Sequence, residues 1–94
     1  MKGNTSRDYQ ETAELLKVLA NPKRLQILNA IKTEPVTVNG LSKILGVFKS
    51  NVSQHLAVMR YTGIIKAERK GRNVFYKIAN PEVIKLIGII DRNE

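Results

Sequence analysis

The apolar residues of this chain repeat with two different periods, and the change of period limits the folds it can adopt. As far as Met59 they recur every three or four residues, as on one face of a helix. From Ile64 to Ile78 they alternate with polar residues, and after Pro81 the helical spacing returns. The sequence therefore predicts a mainly α fold with a small β-hairpin, in the order α-α-α-α-β-β-α. The predicted helices cover residues 8–20, 22–31, 38–45, 49–61 and 81–91, and the predicted strands cover 64–70 and 74–78.

Residue types at the predicted boundaries support these elements. Asn21-Pro22 and Asn80-Pro81 each place a capping side chain before a proline that suits the first position of a helix. Thr37 can cap the third helix, and Gly46 can end it by adopting a left-handed backbone conformation. The turn of the hairpin is predicted at Gly71-Arg72-Asn73.

The size and composition of the chain exclude several classes of protein. Its 94 residues have room for one domain, predicted over residues 8–94, and residues 1–7 are expected to be frayed or disordered. The chain has no Cys, and His55 is its only His, so thiolate chemistry, a catalytic triad and a multi-His metal site are excluded. There is no Gly-rich phosphate loop either. We therefore predict no enzyme activity, no cofactor and no metal.

The distribution of apolar residues also bears on location. No apolar run approaches the ~20 residues of a membrane span. The polar start MKGNTSRDYQ lacks the apolar region of a signal peptide. We expect a cytoplasmic protein with no membrane partner.

Positive charge is concentrated in one part of the chain. The formal net charge is +8, and residues 49–77 hold seven basic residues against one acid, Glu68. Such a concentration is expected of a protein that binds the regular polyanionic backbone of a nucleic acid. A well-solvated basic surface that only maintains solubility is the alternative.

The third and fourth predicted helices have the arrangement of a helix-turn-helix. Residues 41–47 end a short helix at a glycine, and the next helix has an apolar stripe formed by Val52, Leu56 and Met59. Its opposite face combines small residues with side chains that suit base edges and phosphates. This face carries Lys49, Ser50, Ser53, Gln54, Ala57 and Arg60. An ordinary solvent-exposed helix face is the alternative.

The predicted hairpin is basic at its tip. Arg69, Lys70 and Arg72 lie there with Asn73, and like charges this close repel one another unless a countercharge is present. A basic hairpin directly after such a helix can lie over a minor groove or a run of phosphates, as a wing. A basic turn on a solvated surface is again the alternative.

The last predicted helix is too apolar for a solvent-exposed element. Its apolar residues occupy more than one face, so one face can pack on its own domain while the remainder needs another chain. We predict that this chain is a second copy, paired two-fold through the first and last helices. The predicted interface residues are Leu15, Leu16, Leu19, Val83, Ile84, Leu86, Ile87 and Ile90.

Three motifs follow one another along the chain. They are ANPKRLQIL at 20–28, VSQHLAVMR at 52–60 with GII at 63–65, and RKGRNVFY at 69–76. Together they resemble the ArsR/SmtB family of winged-helix repressors, over roughly residues 11–86. The resemblance implies a homodimer built from the first and last helices and bound to an inverted repeat near a promoter. The residues that it places in the groove are Ser50, Asn51, Ser53, Gln54 and His55, with Arg69, Lys70 and Arg72 on the wing. For His55, a structural or phosphate-contacting role and base reading both stay open.

The chain departs from that family at several positions. Family metal sensors commonly carry Cys in the third helix, or Asp, His and Glu in the last one, whereas residues 37–41 here have no thiol and residues 81–91 no His. Glu82 and Asp91 lie about 13 Å apart along a helix, so they cannot share one ion within a subunit. We therefore expect neither metal nor dithiol sensing at the known family sites. Phe48 stands where the family often has Ser or Thr, so Ser50 is expected to cap the fourth helix and to shift its start slightly.

These observations favour a sequence-specific regulator of transcription that binds double-stranded DNA. We expect a repressor that binds an inverted-repeat operator as a homodimer and competes with polymerase. One alternative is a winged-helix module that binds another protein, with an incidental basic surface. The other is a protein that coats DNA without sequence preference.

Overall fold

The predicted order of elements is confirmed. The computed structural model describes the backbone of residues 5–91 and the side chains of residues 9–90. Its elements are α1 (Thr5–Leu19), α2 (Pro22–Ile31), α3 (Val38–Leu45), α4 (Lys49–Tyr61), β1 (Ile65–Lys70), β2 (Asn73–Ile78) and α5 (Pro81–Asp91). Helix α1 begins three residues before the predicted start at Asp8, and residues 1–4 of the segment predicted to be frayed lie outside the described residues.

Helix α2 forms the centre of the packing. Its Ile27, Leu28 and Ile31 are buried, and the helix contacts α1, α3, α4, α5 and β2. Each such side chain stabilises the fold by about 1.5–3 kcal/mol relative to an exposed one. None of the helices within residues 5–91 has the length and hydrophobicity that crossing a bilayer requires.

Three of the predicted helix caps are present. The Asn21 side chain accepts a hydrogen bond from the backbone N–H of Arg24 at 3.1 Å, and Thr37 Oγ1 accepts one from Gly40 at 3.0 Å. At α5, Asn80 Oδ1 accepts from the N–H groups of Glu82 and Val83 at 2.8 and 3.4 Å. Each bond satisfies a backbone donor that has no partner within its helix.

Helices α3 and α4 are joined by a short connection, which begins where Gly46 ends α3. Gly46 has φ 71° and donates from its backbone to the Ser42 carbonyl, as expected of a left-handed C-terminal cap. The connection brings buried Leu41 of α3 and the apolar stripe of α4 into the same core. The sequence-predicted helix-turn-helix is therefore present as two packed helices.

The hairpin is tighter than predicted. Strands β1 and β2 pair antiparallel from Ile65 opposite Ile78 to Lys70 opposite Asn73, so the turn contains only Gly71 and Arg72. Asn73 is a strand residue and not a turn residue as predicted, because its pairing with Lys70 extends the ladder to the turn. Gly71 takes the first central position with φ 66°, a conformation that two-residue hairpin turns require there and that glycine adopts without strain.

A third segment adds to the hairpin. Val36, between α2 and α3, pairs with Tyr76 of β2 through two backbone hydrogen bonds of 3.1 and 2.9 Å. The segment also lies close to the first turn of α3, where a Cβ atom on Gly40 would come within 2.8 Å of Val36 Cγ1. The hairpin is thereby joined at Tyr76 to the segment between α2 and α3, a contact that the sequence pattern did not predict.

The prediction that Ser50 caps α4 is wrong. The helix begins at Lys49, and its N-cap residue is Phe48, with φ −67° and ψ 148° and no side-chain hydrogen bond. The Phe48 carbonyl already accepts from the N–H groups of Asn51 and Val52 at 3.0 and 3.2 Å. Because the chain turns into the helix at Phe48, Ser50 lies inside the first turn, where its side chain cannot act as the N-cap.

Placing a hydroxyl at the N-cap of α4 should stabilise the protein. We expect Phe48→Ser to raise the free energy of unfolding by about 0.5–1 kcal/mol, because serine can accept a hydrogen bond from an unpaired N–H in the first turn. Urea denaturation measures the change, with Phe48→Ala as the control that removes the ring without adding an acceptor. Equal stability of the two variants would contradict this explanation.

Candidate nucleic-acid interface

Packing fixes the rotation of α4. Val52, Leu56 and Met59 are at most 2% exposed and belong to the core shared with α2, α3 and β1. The polar residues predicted to face a groove are left outside that core. Exposed among them are Lys49, Ser50, Asn51, Ser53, Gln54 and Arg60, while His55 is half-buried. The helix therefore presents hydrogen-bonding and basic side chains to solvent along one side.

The wing residues are also exposed. Arg69 and Lys70 end β1, Arg72 is in the turn and Asn73 begins β2. The Lys70 ammonium lies 6.0 Å from the centre of the Phe75 ring, at the outer limit of a cation–π contact. Three cationic side chains are thus grouped within four residues at the end of the hairpin.

Glu68, the one acidic residue among residues 49–77, does not neutralise the three cations at the hairpin tip. Glu68 Oε2 pairs with Lys77 Nζ at 3.2 Å. The hydrogen bond and charge of Lys77, followed by the charges of Lys66 and Lys70, lower the pKa of Glu68 from its ordinary value. Within the described part of the chain, no ion pair involves Lys49, Arg60, Arg69 or Arg72. These cations are available to a polyanion.

His55 is held by a residue that sequence analysis did not select. Arg24 Nε donates a hydrogen bond to His55 Nδ1 at 3.2 Å, and Arg24 Nη1 donates to the Val18 carbonyl at 3.0 Å. An Nδ1 that accepts a hydrogen bond belongs to a neutral imidazole with its proton on Nε2. Burial first, and then the charges of Arg24 and Lys23, lower the pKa of His55. Arg24 thus joins the end of α1 to α4, which favours a structural role for His55 over base reading.

The predicted dimer residues divide into two groups. Leu19, Val83 and Ile87 are buried in the core of their own subunit. Exposed on the same helices are Leu16, Ile84 and Ile90, with Leu15 and Leu86 half-buried. Two further exposed apolar residues of these helices, Tyr9 at 70% and Ile89 at 62%, were not among the predicted interface residues.

Among the described residues, no group of three or more His, Cys, Asp or Glu side chains could hold a metal ion.

The Arg24–His55 contact should make stability depend on pH. Because the folded chain has a lower His55 pKa than the unfolded chain, the contribution of neutral His55 is fully present above pH ~6.5 and is lost as pH falls through the folded pKa. We expect the wild-type protein to lose more free energy of unfolding between pH 7.5 and 5.5 than His55→Gln, whose amide oxygen can accept from Arg24 without titrating.

Urea denaturation at the two pH values measures this difference. The carboxylates titrate mostly below pH 5.5 and are common to both proteins, so they cancel in the comparison. Equal losses for wild type and His55→Gln would show that His55 titrates alike in the folded and unfolded chains.

Comparison with known proteins identifies the family of this chain. Residues 21–67, from the start of α2 into β1, match the family described as "Bacterial regulatory protein, arsR family". The transcriptional repressor PagR of Bacillus anthracis is 39% identical over 83 residues, which cover 87% of this chain and 83% of PagR. The transcriptional activator HlyU of Vibrio cholerae is 37% identical over 78 residues, covering 83% of this chain and 72% of HlyU.

Solved structures superpose on nearly the whole of this chain. Reduced HlyU from Vibrio cholerae superposes with a TM-score of 0.89 at 32% identity, covering 95% of this chain and 94% of HlyU. The crystal structure of PagR gives a TM-score of 0.84 at 36% identity, covering 92% and 99%. A homodimeric winged helix-turn-helix DNA-binding domain from Mycobacterium bovis gives 0.83 at 26% identity, covering 96% and 83%. The resemblance indicated by the three sequence motifs is confirmed, and this chain belongs to the arsR family of bacterial regulatory proteins.

Proposed function

We propose that this protein represses transcription by binding an inverted-repeat operator in double-stranded DNA as a homodimer. The observation that carries the proposal is the polar, acid-free face of α4, followed in the chain by an exposed basic hairpin. Helix-turn-helix proteins place their second helix in the major groove, and α4 is that helix here. A protein with this activity works in the cytoplasm and needs no catalytic group.

The side chains of α4 have the chemistry that base reading requires. Ser50 and Ser53 can donate and accept at base edges, while Asn51 and Gln54 suit adenine. Lys49 and Arg60, near the two ends of the helix, suit phosphates or guanine edges. All six side chains are exposed, so none has to leave the core to reach DNA.

The wing supplies contacts of another kind. Arg69, Lys70 and Arg72 can neutralise phosphates or enter a minor groove, and Asn73 can donate to a phosphate oxygen. Such contacts orient the protein on the duplex and raise affinity without discriminating strongly between sequences. On this proposal α4 provides most of the specificity and the wing provides affinity.

Dimerisation follows from the exposed apolar surface of α1 and α5. Leu16, Ile84 and Ile90 are each 44–52% exposed, and large apolar side chains left in water on the first and last helices of a small protein indicate an interface. The Mycobacterium bovis relative is described as homodimeric. A two-fold dimer would present two α4 helices to half-sites about 34–36 Å apart, one turn of DNA.

Repression is the regulatory outcome that needs least beyond DNA binding. A dimer that occupies a promoter excludes polymerase by its presence, whereas activation requires a further favourable contact with the transcription machinery. The names of the two relatives differ in this respect, since PagR is called a repressor and HlyU an activator. We favour repression for this chain because DNA and a second copy of the chain occupy its proposed binding surfaces. None of these surfaces is then assigned to the transcription machinery.

The proposal is tested by selecting bound duplexes from a random pool. We expect enrichment of an inverted repeat with half-sites one helical turn apart, or a multiple of it. Within the selected operator, Gln54→Ala should relax the preference at one position per half-site. Arg72→Ala should weaken binding to operator and random duplex by similar factors, because a phosphate contact is common to all sequences.

The control is Lys17→Ala, which removes one exposed positive charge from α1 and leaves α4 and the hairpin intact. It should bind the operator nearly as well as wild type. Retention of the pool without enrichment would indicate a protein that coats DNA, and no retention at all would indicate a protein-interaction module. Either result would overturn the proposed function.

A further inference from the structure

Folding alone does not explain why a phenylalanine stands at position 48. It is 84% exposed, although it belongs to a residue type that is usually buried. It also occupies the N-cap of α4 without forming a side-chain hydrogen bond, where a serine would stabilise the helix. Residues that forgo local stability in this way are expected at functional sites.

The surroundings of Phe48 indicate which partner it would contact. Phe48 lines an open cleft of about 430 Å³ with Gly46, Val47 and Asn51. The next residue, Lys49, is basic, and residues 35–67, on both sides of Phe48 in the sequence, contain no Asp or Glu. An apolar ring in such basic surroundings is suited to a polyanion that also offers apolar groups, and less suited to the mixed-charge surface of another protein.

The position of Phe48 at the start of α4 indicates which part of the DNA it would contact. The first residues of a recognition helix are those that contact base edges, and Phe48 directly precedes Lys49, the first residue of α4. In the major groove only thymine exposes a methyl group, at C5, and apolar side chains including Phe recognise it. Asn51, in the same cleft, can bind the N6 and N7 atoms of adenine. One A·T pair presents both features.

We propose that Phe48 is a specificity-determining residue that selects thymine through contact with its C5-methyl group. The inference rests on the proposed function, because it requires α4 to enter the major groove. It adds an apolar contact to a recognition surface that is otherwise polar. It also explains why the helix lacks a capping hydroxyl at this position.

The test uses deoxyuridine, which pairs as thymine does but lacks the methyl group. Each thymine of the selected operator is replaced in turn, and affinity is measured for wild type and Phe48→Ala. We expect one thymine position per half-site at which replacement weakens wild-type binding about fourfold, the factor for one methyl-sized group removed from water. Replacement in both half-sites should weaken it about fifteenfold. Phe48→Ala should bind the thymine operator with similarly reduced affinity and should not respond to deoxyuridine at that position.

Two controls separate this contact from general effects. Tyr61→Ala removes a 93% exposed aromatic from the opposite end of α4 and should keep the full deoxyuridine response. Phe48→Ser, which we expect to unfold at higher denaturant concentration than wild type, should nevertheless bind the operator more weakly and ignore the replacement. Its stability excludes misfolding as the cause.

The inference is overturned if wild type responds to deoxyuridine at no position, or if Phe48→Ala responds as strongly as wild type. Either result would leave the proposed function standing, since the operator would still be bound specifically. By contrast, failure to select any operator would remove the proposed function, and this inference with it.

Discussion

The burial of one apolar stripe on α4 determines which side chains the protein exposes for binding. Val52, Leu56 and Met59 pack into the core, and this packing allows only one rotation of the helix. Turning the helix by one residue, about 100°, would expose these side chains at a cost of about 1.5–3 kcal/mol each and would bury polar ones instead. The polar face of α4 is therefore held outward by the core. The hairpin, which follows α4 after a short connection, begins at β1 in contact with the same helix.

Several exposed features of the protein lower the stability of the isolated subunit. Arg69, Lys70 and Arg72 repel one another at the hairpin tip, Phe48 is largely in water, and apolar side chains such as Ile84 remain exposed on the outer helices. Each would be relieved by a particular partner: the charges by phosphates, the ring by a base methyl group, and the apolar helices by a second subunit. The core, with α2 at its centre, has to be stable enough to tolerate all three. On this account, the fold positions groups whose interactions are completed only in the complex.

The sequence predicted those parts of the structure that depend on local patterns. Helical spacing and capping residues placed the five helices to within a few residues, because burial of one face and satisfaction of end groups are encoded nearby in the chain. Contacts between distant residues were not predicted: the bridge between Val36 and Tyr76 and the bond from Arg24 to His55 join segments that no periodicity relates. The cap of α4 was predicted wrongly because it was inferred from side-chain type alone. The backbone conformation at Phe48 determines where the helix starts.

The salt dependence of duplex binding tests most directly whether the exposed face of α4 and the basic hairpin bind DNA. If a dimer makes about 6–10 phosphate contacts, its affinity for a duplex should fall by about 10³–10⁵ between 50 and 200 mM salt. Titration of a labelled duplex at several salt concentrations gives the slope of affinity against salt concentration. A steep decrease is the predicted result. An affinity that stays constant over this range would contradict the account, because unpaired cations such as Arg72 would then not be neutralising phosphates.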